Sequence, residues 1–153
     1  MDAHDRIDKR REIDASAQEV WDLVSIPGWY INDGTAYVEH EIEYEGDVAL
    51  VRDPQHGVFA FRTVALEPPR YAAFRWIADH TAAEPDDEST LVEFWIDERP
   101  GGVTLRVAES GFASLSGSED ERRAKLAENA EGWEIELVVA RDHLTVSAVT
   151  GDA

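Results

Sequence analysis

Six strand-like runs follow one another between Tyr37 and Phe112 with no helix-period segment among them, and a single long helical pattern follows. They read "YVEHEIEY", "DVALVR", "GVFAFRTVALE", "RYAAFRWIA", "TLVEFWIDE" and "VTLRVAESGF". Parallel pairing needs a crossover connection of a dozen or more residues, usually a helix, between strands. A chain without them is restricted to an antiparallel sheet with its helices set apart, an α+β arrangement rather than alternating βαβ units. The turn signals agree. Glu45-Gly46 suits a two-residue hairpin, no central strand accommodates Pro68-Pro69, and "RPGG" at residues 99–102 separates the last two runs. The acidic segment "DHTAAEPDDES" reads as a mobile loop.

Ahead of the sheet, "RIDKRREID" alternates and reads as a further strand with Ile7, Lys9, Arg11 and Ile13 on one face. "SAQEVWDLV" then opens with a capping box, Ser16 with Glu19, and predicts a short helix. Pro27-Gly28 ends it, and "GWYIN" reads as a further short helical turn or a loop. A second capping box, Ser118 with Glu121, opens the final segment, where three acids also suit the positive end of the helix dipole. Leu126, Ala130, Trp133, Leu137, Ala140 and Leu144 recur there at spacings of four and three, one face of a long amphipathic helix. Gly132 interrupts this helix at a cost of about 1 kcal/mol against alanine. Such a glycine implies close backbone approach, or space beside Trp133.

Strand parity assigns the faces. Phe59, Phe61, Phe74 and Trp76 turn inward opposite Arg62 and Arg75; Val92, Phe94 and Ile96 turn inward and leave Trp95 outside; Val103, Leu105 and Val107 oppose Arg106. Three polar residues share the inward faces: His40 with Val38 and Ile42, Arg52 with Val48 and Leu50, and Glu109 continuing the Val103 face near a strand end. Aromatic rings on an inner sheet face closed by a helix make either a packed core or a ligand pocket, and a pocket needs a few such polar groups.

The chain has 153 residues, one domain by length, with 14 basic against 33 acidic residues and a net charge of -19. That field repels nucleic acid and anionic lipid, so neither is an expected partner. No apolar run reaches membrane-spanning length, so no membrane insertion is expected. The run "MDAHDRIDKRREID" is charged from its start, unlike a secretory signal, and a cytoplasmic location is the expectation. Without cysteine there is no disulfide, thiolate metal site or cysteine nucleophile. His4, His40, His56, His80 and His143 have no metal-ligand spacing, and neither a phosphate-binding loop, a dinucleotide fingerprint nor a nucleophile elbow occurs. No metal or cofactor is expected, and nothing compels an enzyme.

Several segments together resemble the START-like, or SRPBCC, superfamily. "REIDASAQEVWDLVS" is similar to its opening strand and helix, "ALEPPRYAAFRW" to its strand–Pro-Pro–strand element, "STLVEFWIDERPGGVTLRVAESGF" to its penultimate hairpin and "NAEGWEIELVVARDHL" to its C-terminal helix. The branch named for the activator of the ninety-kilodalton heat-shock ATPase is the most similar. The resemblance implies one domain over residues 1–153 with the helix-grip fold: a curved antiparallel sheet wrapped around a long C-terminal helix, with two short helices after the first strand. It also implies a cavity between sheet and helix for a lipid- or polyketide-like molecule. Trp21, Trp29, Phe59, Phe61, Phe74, Trp76, Phe94 and Trp133 would wall it beside Gly132, and His40, Arg52 and Asn129 would orient the ligand. Many relatives carry histidine where Asn129 stands. The alternatives are a polyketide cyclase, aromatase or dehydratase with His40 as acid–base group, and a module acting on a chaperone ATPase. A monomer, or a homodimer through a strand edge or Trp95, completes the expectation.

Overall fold

The structure is a computed structural model that describes residues 6–77 and 89–151, with side chains to residue 145. The acidic segment expected to be mobile, residues 79–89, lies outside the described residues apart from its last residue, Ser89, as do His4 and His80.

The first alternating segment forms β1 (Arg6–Ile13), and helix α1 (Ala17–Val24) starts at the expected capping box. Ser16 Oγ accepts from the Glu19 amide at 3.1 Å while Glu19 Oε1 accepts from the Ser16 amide at 3.0 Å, which satisfies two amides otherwise orphaned at the helix start. Six strands follow: β2 (Glu41–Glu45), β3 (Val48–Asp53), β4 (Gly57–Glu67), β5 (Tyr71–Ile77), β6 (Ser89–Arg99) and β7 (Gly102–Ser110). A 3-10 turn at Phe112–Ser114 leads into α2 (Glu119–Gly151), whose Ser118–Glu121 box repeats the geometry of the first.

All seven strands form one antiparallel sheet in the order β1-β7-β6-β5-β4-β3-β2. Successive strands are neighbours except that β1 returns to pair with β7, which brings the start of the chain alongside its last strand. Glu45 pairs with Val48, so the β2–β3 turn is Gly46-Asp47, one residue later than read from sequence. Pro68-Pro69 carries a cis bond at the β4–β5 turn. Among the described residues, no helix is long and apolar enough to cross a membrane.

The second short helix is replaced by successive turns, with the Trp29 amide donating to the Ile26 carbonyl and Ile31 to Gly28. Gly28 has φ +71°, a left-handed conformation that ends helical winding. A Cβ there would also stand only 3.0 Å from Phe61 and 3.1 Å from Val51. The turn directs Trp29 and Tyr30 inward, where they are 1% and 6% exposed.

The core lies between the concave face and α2, and Trp133, Leu137, Ala140 and Leu144 are buried on the stripe read from sequence. Phe61, Phe74, Phe94 and the Val103 face are buried as parity predicts, and Trp95 is outside, between Tyr71 and the Arg106 guanidinium, 4.6 Å from its ring centre. On β3 the parity is reversed. Ala49, Val51 and Asp53 face the core, and Arg52 is exposed beside Glu43 at 3.0 Å. This strand is apolar on both faces, so alternation cannot choose. The β3–β4 register, which sets Ala49 opposite Phe61 and Val51 opposite Phe59, does choose.

Candidate functional site

On α2, Asn129, Gly132, Trp133 and Glu136 are spaced three and four residues apart and therefore share one stripe. Opposite them stand Phe59 from β4 and Trp76 from β5, and the turn after α1 brings in Tyr30 and Asn32. Together with His56 and Glu128 these residues enclose a cleft of about 350 Å³. A hollow of about 230 Å³ shares Phe59, Trp76 and Asn129 with it and extends towards Thr90, Glu109 and Lys125. The space is at the lower end of small-molecule sites, which run from about 300 Å³ upwards.

The deep region between sheet and helix is filled by rings. Tyr30 lies 4.6 Å from Trp133 and 5.1 Å from Trp76, and Phe94 lies 5.8 Å from Trp133, centre to centre. These are tilted and edge-on contacts of the kind that pack a core. The cleft is what this packing leaves open at the side of α2.

Glu109 is the polar centre of the floor. It is 1% exposed, and its oxygens accept from Thr90 Oγ1 at 2.6 Å, Trp133 Nε1 at 2.9 Å and Asn129 Nδ2 at 3.1 Å. Burial raises its pKa, and the three donors act against that rise. Tyr30 contrasts with it. Its hydroxyl is buried and has no hydrogen-bond partner among the described residues, and burial followed by the nearby Glu109 raises its pKa strongly. Buried polar groups are nearly always paired, so this unpaired hydroxyl is a cost carried by the packed core beside the cleft.

At the other end, Glu136 accepts from Asn32 Nδ2 at 2.7 Å. Burial first, then the charge of Asp33, push its carboxyl up to about 7 against the pull of that amide. His56 reaches the same cleft with Nδ1 3.3 Å from Asp53 Oδ1, while His40 Nε2 lies 3.1 Å from Asp53 Oδ2. Burial pushes the Asp53 carboxyl up, but the Gln55 and His56 amides and the two imidazoles outweigh it and hold the group at about 2.

Five of the residues named from sequence meet at the cleft: Phe59, Trp76, Asn129, Gly132 and Trp133. Trp21, Trp29, Phe61, Phe74 and Phe94 belong to the packed core, His40 is buried against Asp53 without lining the cleft, and Arg52 is on the outer face. Close approach at Gly132 is overturned: a Cβ there would meet nothing within 4 Å, so the residue opens the cleft rather than tightening the packing. Sequence reasoning left out Tyr30, Asn32, His56 and Glu136. Glu136 had a usable signal, three residues beyond Trp133 and seven beyond Asn129.

A seven-stranded antiparallel sheet closed by a long C-terminal helix, with a short helix after its first strand, is the helix-grip fold. Solved structures share it over nearly the whole chain. The Aha1 dimer from Colwellia psychrerythraea has 16% identity over 91% of this chain and 95% of its own, with a TM-score of 0.65. CalU16 from Micromonospora echinospora has 21% identity over 88% and 72%, at 0.57, and DynU16, from the dynemicin biosynthetic locus, 16% over 94% and 48%, at 0.66. At such identities the likeness is one of fold. No protein-family model matches the sequence, and no curated protein matches it.

Proposed function

We propose that this protein binds a hydrophobic or aromatic small molecule in the cleft between β4, β5 and α2. The observation that carries this reading is the cleft walled by the rings of Phe59, Trp76 and Trp133 and kept open by Gly132. Phe59, Trp76 and Trp133 supply apolar contact, and Asn129 supplies a polar contact that fixes orientation. Glu109 positions Asn129 and Trp133 from below. Native mass spectrometry of the purified protein, followed by titration with the neutral fluorophore Nile red, tests it. Uptake by the wild type and its loss in Gly132→Phe, with the melting temperature maintained, is the expected result. No adduct and no uptake, or equal uptake by the filled variant, would overturn it.

The cyclase-type reading draws support from one observation, the His56 ring held by buried Asp53 at the cleft. A carboxylate that orients an imidazole prepares it for proton transfer. The acid–base group would then be His56 rather than His40. Turnover of a polyketide-like chain that is lost in His56→Gln, with binding retained, would establish it.

A further inference from the structure

The three inward carboxyl groups around the cleft are treated very differently. Asp53 has two histidines and two backbone amides. Glu109 has three side-chain donors. Glu136, partly buried, has one neutral amide from Asn32 and no cationic partner among the described residues. A charge withdrawn from water without compensation is costly, and an opposite charge brought into contact offsets that cost. The described residues supply none here. Among them, Lys125 lines only the adjoining hollow, and the charged side chains lining the main cleft are Glu128 and Glu136, with His56 able to become positive. The remaining walls are the rings of Tyr30, Phe59, Trp76 and Trp133, whose faces attract a cation within about 6 Å of the ring centre.

Building on the proposed binding function, we infer that the cleft's ligand is an organic cation, an ammonium or quaternary ammonium group carried on an apolar or aromatic frame. The frame lies against Phe59, Trp76 and Trp133 in the space Gly132 leaves, and the positive group takes up the carboxylates of Glu136 and Glu128. The net charge of -19 adds a general attraction for cations at long range. That attraction is screened by salt, whereas a partly buried contact at Glu136 is screened much less.

The test is displacement of Nile red at pH 8 and 0.15 M salt by a matched pair of probes, benzyltrimethylammonium and its neutral carbon analogue neopentylbenzene. The cation should displace the dye at about tenfold lower concentration. Glu136→Gln should remove most of that preference while Nile red still binds. Glu45→Gln, which neutralises an exposed carboxylate away from the cleft lining, should leave it intact. Equal displacement by the two probes, or loss of preference in both variants alike, overturns the inference and leaves the apolar site standing. Failure of the wild type to take up Nile red overturns the binding function itself, a separate outcome.

Discussion

Trp133 Nε1 donates to Glu109 Oε1 at 2.9 Å, a buried bond that ties the middle of α2 to the end of β7. The same carboxyl holds Asn129 and Thr90, so one residue fixes the helix stripe against the sheet. Glu109→Ala strands three donors in the interior and leaves a void. The expected loss is about 3 kcal/mol or more, since each orphaned buried group costs about 1–3 kcal/mol. Trp133→Phe keeps most of the ring contacts and removes one donor, with an expected loss of about 2 kcal/mol. Urea denaturation reads both, and a change below about 0.5 kcal/mol in Glu109→Ala would contradict the network.

Tyr30 makes the opposite prediction. Its hydroxyl is buried without a partner, so Tyr30→Phe removes a desolvated group and keeps the ring packed between Trp76 and Trp133. Stability should be unchanged or higher by about 1 kcal/mol, where a paired tyrosine hydroxyl would show a loss of similar size. Because the hydroxyl is out of reach of the cleft, the same variant should bind Nile red as the wild type does. A loss of stability in urea denaturation would contradict the unpaired hydroxyl.

Local chemistry was legible in the sequence wherever the signal is local. Both capping boxes, the strand succession and the buried stripe of α2 follow from short-range patterns. What escaped depends on partners distant in sequence. Alternation cannot choose between the faces of "VALVRD", because Val48 and Leu50 are as apolar as Ala49 and Val51; the pairing with β4 decides. Glu109 reads as a strand-end residue bound for solvent, yet α2 covers that end and lays Asn129 and Trp133 over it. The inward course of Tyr30 depends on the left-handed turn at Gly28, which shows in sequence only as a helix stop. The cleft is thus partly legible: its helix stripe and the hairpin rings Phe59 and Trp76 follow from periodicity, and the wall of Tyr30 and Asn32 comes from a turn.

Glu136 predicts a pH dependence of stability. Its carboxyl rises from an ordinary 4.5 to about 7 in the folded protein. Between those values the folded chain binds more protons than the unfolded one, so this group's contribution falls as pH rises through that window. Because the side chain is partly exposed, solvent screening reduces the effect to about 1–2 kcal/mol. Glu136→Gln should match the wild type near pH 4 and exceed it by that amount at pH 8. Glu109 moves in the same direction, and Asp33, His56 and Glu128 also surround the cleft. Those not coupled to Glu136 are present in both proteins and cancel in the difference, and Asp33 enters only through its effect on Glu136. A difference independent of pH would show that Glu136 titrates as an ordinary surface acid.

Gly132 separates stability from function. Its position is helical, and a Cβ there meets nothing within 4 Å. Gly132→Ala should therefore recover helix propensity and raise stability by about 1 kcal/mol. Had the glycine served close packing between helix and sheet, the same substitution would be destabilising. Alanine intrudes little and should leave Nile red binding within about twofold, whereas phenylalanine at this position should abolish it. Melting temperature should therefore rise from glycine to alanine with affinity kept, and affinity should be lost at phenylalanine with the melting temperature maintained. A helix that accepts a weak former where a better one fits is retaining space, and that trend would identify the space as the site.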